Sequence, residues 1–137
     1  MIFIDTNIVS ETLKPHPAEQ VIQWLSSNDA TIALPSIVLA ELAYGIERIR
    51  PDERAGRLEK GLDAWRDRFR DRIFAFGEEE ALVYGALMGK TARNGRPMSV
   101  PDGMIAAMAV CRGWQLATRN TTDFDHLDLY LIDPFKA

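Results

Sequence analysis

Apolar residues follow two rhythms along this chain. Short runs that are apolar almost throughout, Ile2-Phe3-Ile4, Thr31-Ile32-Ala33-Leu34 and Ile73-Phe74-Ala75-Phe76, alternate with longer stretches where apolar residues recur every three or four positions. A run apolar on both faces suits a strand buried in a parallel sheet, and recurrence at three or four marks one face of a helix. Helices are predicted from Thr6 or Asn7, as cap, to about Leu13, and over about Ala18–Ser26. Three more run from Pro35-Ser36 to about Ile49, from Pro51 through Leu58, Leu62, Trp65 and Phe69, and from Glu78 to about Arg93. A nearly all-apolar helix opens at Pro101-Asp102 and stops at Gly113, a common helix terminator. Gln115 to Thr118 and Leu129 to Ile132 complete four or five strands. Alternation of this kind predicts an α/β domain around a mostly parallel sheet. Parallel neighbours need crossover connections, so helices must cover both faces.

At 137 residues the chain is expected to be one domain, residues 1–137. The longest apolar stretch, Met104 to Cys111, is too short for a membrane span. The opening Met-Ile-Phe-Ile-Asp5 lacks a basic segment, so no signal peptide is expected. One cysteine, Cys111, leaves no disulfide framework and no cysteine-based zinc site, and fits a reducing, cytoplasmic setting. The net charge of −4 excludes nucleic-acid binding by bulk positive charge. A polyanionic partner would need local basic groups or bound cations.

The informative residues are carboxylates in unusual places. Asp5 follows the first strand, where open parallel sheets place ligands, although an aspartate there also suits a helix cap. Glu41 is the only charged residue between Ile32 and Ile46. Such a carboxylate needs a partner, either a metal ion or an arginine such as Arg119. Asp102 opens the buried helix, as cap or as ligand. Asp123 follows the fourth strand and alone reads as an ordinary loop residue. Carboxylates crowded into one cleft repel one another, and a divalent cation reverses that sign. An oxygen-rich set favours Mg²⁺ or Mn²⁺ over zinc. The two histidines, His16 and His126, read as surface residues, so any chemistry is expected to be metal-dependent.

Four motifs together resemble the PIN domain, and within it the VapC-type toxins of bacterial toxin–antitoxin (VapBC) pairs. They are Ile4-Asp5-Thr6-Asn7, Ala40-Glu41 through Tyr44-Gly45-Ile46, Ser99-Val100-Pro101-Asp102 running into Ile105-Ala106-Ala107, and Thr118-Arg119-Asn120 with Asp123-Phe124. The likeness covers nearly the whole chain, and its departure at Pro101 still suits a helix start. The resemblance implies a three-layer α/β/α sandwich with a central, mostly parallel sheet. It implies an endoribonuclease whose Asp5, Glu41, Asp102 and Asp123 are catalytic and bind one or two Mg²⁺ or Mn²⁺ ions. It further implies a homodimer, a VapB-type antitoxin that covers the cleft, and a higher assembly of toxin with antitoxin. Asp123 varies most in the family, and Thr6 or Asn120 could hold a ligand water in its place.

RNA itself must be held. Thr6, Ser36, Arg119 and Asn120 lie in motifs beside the proposed site, and Lys90, Arg93 and Arg96 flank one loop; these three also fit a solvated helix end. The stripe Leu58, Leu62, Trp65, Phe69 reads as core, or as a dimer or antitoxin contact, and Trp24 and Leu25 are a second candidate contact. Rival readings fare worse. A haloacid-dehalogenase-type phosphatase needs an aspartate where Asn7 stands, and a phosphorelay receiver needs one after the third strand, where Gly77-Glu78 follow. A catalytically silent PIN-like RNA- or protein-binding module is the alternative.

Overall fold

The computed structural model describes residues 1–136. Five strands, β1 (Ile2–Ile4), β2 (Ile32–Pro35), β3 (Ile73–Phe74), β4 (Gln115–Ala117) and β5 (Leu131–Ile132), form one sheet in the order β3-β2-β1-β4-β5. Every pairing is parallel. Six helices connect them: α1 (Thr6–Thr12), α2 (Glu19–Ser27), α3 (Ser36–Ile49), α4 (Arg54–Arg68), α5 (Glu78–Arg93) and α6 (Val100–Arg112). The path moves outward from β1 to β3, then returns to the far side of β1 for β4 and β5. With right-handed crossovers, α1 to α4 cover one face and α5 and α6 the other, as the sandwich predicts. The point of reversal lies between β1 and β4, where the carboxyl ends of strands leave a crevice.

The sheet is short, and its stability comes from complete burial. Phe3, Ile4, Ile32, Leu34 and Leu116 on the strands and Ile105 and Met108 on α6 are all inaccessible to solvent. Leu62 and Phe69 join that core, and Leu58 and Trp65 pack against it, which confirms the core reading of the α4 stripe. Trp65 also donates its indole N–H to Thr12 Oγ1 at 2.9 Å, fastening α4 to the end of α1. Trp24 and Leu25 likewise pack against the core. Gly103 permits the close approach of α5 to α6, since a Cβ there would stand 2.4 Å from Met88 Sδ. Gly113 ends α6 in the left-handed conformation, φ 68°, which glycine adopts without a Cβ penalty.

The differences from the expected elements have local causes. Asp5, rather than Thr6 or Asn7, caps α1, and Ser99, rather than Asp102, caps α6. The strand expected over Ile73–Phe76 stops at Phe74, because only Ile73 and Phe74 find a partner strand. β5 likewise begins at Leu131, where pairing with Leu116 begins. α4 starts at Arg54, after a turn in which Asp52 accepts from the Arg54 backbone N–H. Arg72, in the turn that follows α4, is only partly exposed. It donates to the Ile32 carbonyl at 2.9 Å and stacks 4.8 Å from the Phe69 ring centroid.

Candidate functional site

Asp5 leaves β1 at the crevice, and its backbone N–H still donates to Ala117 O on β4 at 2.9 Å. Its extended backbone turns one carboxylate oxygen back onto α1, where Oδ1 accepts from Thr6 N at 2.7 Å. The second oxygen, Oδ2, accepts from Thr118 Oγ1 at 2.8 Å and from Asn7 Nδ2 at 3.3 Å. The residue is 4 % exposed. It is therefore both a cap and a cleft acid, so the two readings of the sequence are compatible.

Glu41 projects from α3 toward α1 and accepts from Thr6 Oγ1 at 2.6 Å. The arginine partner considered for it goes elsewhere. Arg119 places its guanidinium 4.3 Å from the centroid of the Phe135 ring. Asp102 is the third residue of α6, half-buried, with its backbone N–H held by Ser99 Oγ at 3.3 Å. Asp5, Glu41 and Asp102 line one open cavity of about 360 Å³, together with Thr6, Arg119 and Asn120. Asp123 sits in a 3-10 turn, Thr121–Asp123, and is exposed. It lines an adjoining cavity of about 490 Å³ that shares Asp102.

Charge ties the acids together. Burial pushes the Asp5 carboxyl above the usual carboxylate range, against the hydrogen bonds from Thr118 and Thr6, and the charges of Glu41 and Asp123 push it further. Asp102 is raised mainly by burial and then by Asp5, with Asp123 adding to it. Asp5 is thus the common neighbour. Among the described residues, however, no group of three or more His, Cys, Asp or Glu side chains is gathered closely enough to hold one metal ion. The donors facing the cleft are all oxygens of carboxylates, hydroxyls and amides, a set suited to a hard divalent cation.

The candidate RNA contacts divide. Thr6, Arg119 and Asn120 line the acidic cavity, and Arg96 lines the adjoining one. Arg96 is paired with Asp125 at 3.0 Å and donates to Thr122 O at 3.1 Å. Ser36, the first residue of α3, and Arg93, at the end of α5, line neither. Lys90 faces a different cavity. His126 corrects the sequence reading. Unlike exposed His16, it is folded inward, with both ring nitrogens buried.

Sequence reasoning did not assign Thr118, Asn7 or Lys14 to the site. Thr118 is fully buried and accepts from Asn120 N at 3.1 Å while donating to Asp5. Its signal was available: a buried threonine ending a strand beside an acidic one needs a partner for its hydroxyl. Asn7 closes the same network, its Oδ1 accepting from Arg119 N at 3.1 Å. Lys14 lines the cavity rim, held 2.8 Å from buried Glu11.

Fold and site together define a doubly wound α/β domain with an acidic cleft at its strand-order reversal. The PIN domain family model matches residues 2–129, and the chain belongs to that family. It is 32 % identical to Toxin FitB of Neisseria gonorrhoeae over 137 residues, covering 98 % of this chain and 99 % of that one. It is 30 % identical to VapC ribonuclease Y4jK of Sinorhizobium fredii over 138 residues, 99 % of each. The crystal structure of FitAcB from Neisseria gonorrhoeae superposes with a TM-score of 0.90 at 32 % identity and full coverage of both chains. Among the described residues no helix is long and apolar enough to cross a membrane.

Proposed function

We propose that this protein is the toxin of a VapBC-type toxin–antitoxin pair and an endoribonuclease that hydrolyses RNA phosphodiesters with Mg²⁺ or Mn²⁺ held by its acidic cleft. The observation that carries this reading is the convergence of Asp5, Glu41 and Asp102 on one cavity at the reversal between β1 and β4. The relatives named toxin and ribonuclease support it along the whole chain.

The metal fits the donor set. Asp5 is buried and Asp102 half-buried; the charge of Asp5 raises the proton affinity of Asp102, as those of Glu41 and Asp123 raise that of Asp5, and a cation removes that conflict. Mg²⁺ commonly takes one or two carboxylates and leaves its other positions to water and phosphate. Asp5 and Asp102 are the pair best placed for this, with Glu41 and Asp123 on either side. When bound, such an ion supplies activation of water and shielding of charge on phosphorus and the departing oxygen.

The chain's own residues do the rest. Thr118, Asn7 and the Thr6 N–H fix both oxygens of Asp5, so the carboxylate is held in place before substrate arrives. Thr6 Oγ1 fixes Glu41 in the same way. Ser99 sets the start of α6 and with it the direction of Asp102. Arg119, Asn120 and Lys14 rim the cavity and offer donors to phosphate oxygens. The antitoxin is the partner, and a homodimer is the proposed assembly.

Incubating antitoxin-free protein with an RNA pool, with and without Mg²⁺ or Mn²⁺, and mapping the cut ends tests the reading. Metal-dependent cleavage leaving 5′-phosphate and 3′-hydroxyl ends, lost in Asp102→Asn, is the expected result. A 2′,3′-cyclic phosphate product, or cleavage that ignores both metal and this substitution, overturns it. Binding of RNA with no cleavage returns the alternative, a silent PIN-like module.

A further inference from the structure

We propose that Phe135 is a positioning residue for RNA cleavage, its ring holding the Arg119 guanidinium at the rim of the acidic cavity, where it grips a backbone phosphate of the RNA. This rests on the ribonuclease reading above and deepens it. Phe135 lines neither acidic cavity, so it acts only through Arg119.

The sheet brings the two residues together. β4 and β5 end side by side, with Ala117 opposite Ile132, and Thr118 N donates to Ile132 O at 2.9 Å. Arg119 follows β4 and Phe135 follows β5. The Arg119 backbone is fixed by its N–H, which donates to Asn7 Oδ1 at 3.1 Å. Phe135 lies in the 3-10 turn Pro134–Lys136 and is fastened at both backbone groups. Its N–H donates to Asp133 Oδ1 at 2.9 Å, and its carbonyl accepts from Gln20 Nε2 of α2 at 2.9 Å. The half-buried ring packs against the core, and the guanidinium carbon of Arg119 stands 4.3 Å from its centroid.

Charge alone would put Arg119 elsewhere. Asp5, Glu11, Glu41 and Asp102 line the same cavity, and a guanidinium free to move would pair with one of them. Glu11 instead takes Lys14 at 2.8 Å, and Glu41 takes Thr6 Oγ1. Among the described residues Arg119 bonds through its backbone to Asn7 and through its guanidinium to the ring, with no ion pair. A cation–π attraction joins charge to ring face and engages no oxygen. The N–H donors therefore stay free for a phosphate, which a guanidinium can take with two parallel bonds. An arginine already held in place loses less side-chain freedom on binding, which favours affinity. The same hold keeps a competing cation off Asp5, Glu41 and Asp102.

The test uses Phe135→Leu, which stays apolar and removes the ring face, and Phe135→Tyr, which keeps it. Arg119→Ala is made alone and combined with Phe135→Leu. Cleavage of one RNA, chosen from those the wild type cuts in the pool, is followed with Mg²⁺ or Mn²⁺. In Phe135→Leu KM is expected to rise about three- to tenfold, the scale of a cation–π hold, with kcat within about twofold of wild type. Phe135→Tyr is expected to keep the wild-type KM. In Arg119→Ala KM should rise at least as far, and adding Phe135→Leu should raise it no further. By NMR, the ring current should displace the Arg119 Nε–H resonance in wild type and Phe135→Tyr but not in Phe135→Leu, a readout that needs no activity. An effect of Phe135→Leu that persists in the Arg119→Ala background marks a packing role and overturns the proposal. So does a fall in kcat with KM unmoved, a tyrosine variant that behaves like leucine, or an Arg119 resonance that ignores loss of the ring. A wild type that cuts no RNA overturns the ribonuclease reading, and this proposal with it.

Discussion

Thr118 Oγ1 donates to Asp5 Oδ2 at 2.8 Å across 113 positions of sequence. The bond exists because β4 lies directly beside β1 and both end at the same edge. It is fully buried, so the hydroxyl competes with no water for the carboxylate. It also works against burial, which disfavours the charged form of Asp5.

Thr118→Val keeps the shape of that side chain and deletes the donor. Asp5 then holds its proton to higher pH. The acid limb of the cleavage profile should move up in pH. The rate at neutral pH should fall about tenfold, in line with about 1–3 kcal/mol for a buried acceptor left unpaired. A pH–rate profile of the two proteins checks this, and an unmoved acid limb contradicts it.

Asp102→Asn removes one member of a mutually repelling pair. Without divalent metal the variant should melt at a higher temperature than wild type, since the raised carboxyl of Asp102 marks a charge that folding disfavours. Adding Mg²⁺ should raise the melting temperature of wild type more than that of the variant. Cleavage should drop by about a hundredfold or more, the scale of losing one charge-stabilising group. Calorimetry with and without Mg²⁺ separates these effects, and equal metal-induced shifts would remove Asp102 from the metal site.

Glu11 makes a prediction of opposite sign. Its carboxylate accepts from Lys14 Nζ at 2.8 Å and from Ala18 N at 2.9 Å, which hold its pKa below the ordinary value of 4.5. A group depressed by folding adds stability above its unfolded pKa and loses it as pH falls through the folded one. Wild type should therefore lose melting temperature as pH falls below about 4.5, the ordinary value from which Glu11 is depressed. Glu11→Gln should be less stable at pH 7 and lose less on acidification. Parallel slopes for the two proteins between pH 7 and pH 3 would exclude Glu11 as a source.

Gly103→Ala puts a methyl 2.4 Å from Met88 Sδ and 3.2 Å from Tyr84 Cε1. Met88 can swing aside more easily than Tyr84, so the cost should be about 1–2 kcal/mol, at the mild end of overpacking. Gly103→Val should cost more. Urea unfolding measures both, and an unchanged midpoint for the valine variant would mean that α5 and α6 are not tightly packed here.

Much of this was legible because burial writes itself into composition. Ile2-Phe3-Ile4 suited a strand covered on both faces, and the apolar run from Met104 a buried helix, which holds from Ile105 to Ala109 while Val110 is exposed. Glu41 was conspicuous because nothing around it was charged. The missing pieces depended on pairing across long separations. Nothing near Phe76 states that β3 ends two residues earlier, since that end is set by where β2 stops. The Arg119 guanidinium leaves Glu41 for Phe135, near the far end of the chain. His126 misled because its neighbours Asp125 and Asp128 are polar, while the ring turns inward from an exposed segment.

The strand order also bears on biosynthesis. While a ribosome is still extending the chain short of Thr118, β1 has no β4 beside it, and Asp5 stands without the hydroxyl that steadies it. A nascent or prematurely terminated product therefore carries all of Asp5, Glu41 and Asp102 yet no finished cleft. The cleft is finished only after Thr118 has been added and β4 has docked beside β1, so competence arrives later than the last of the three acids.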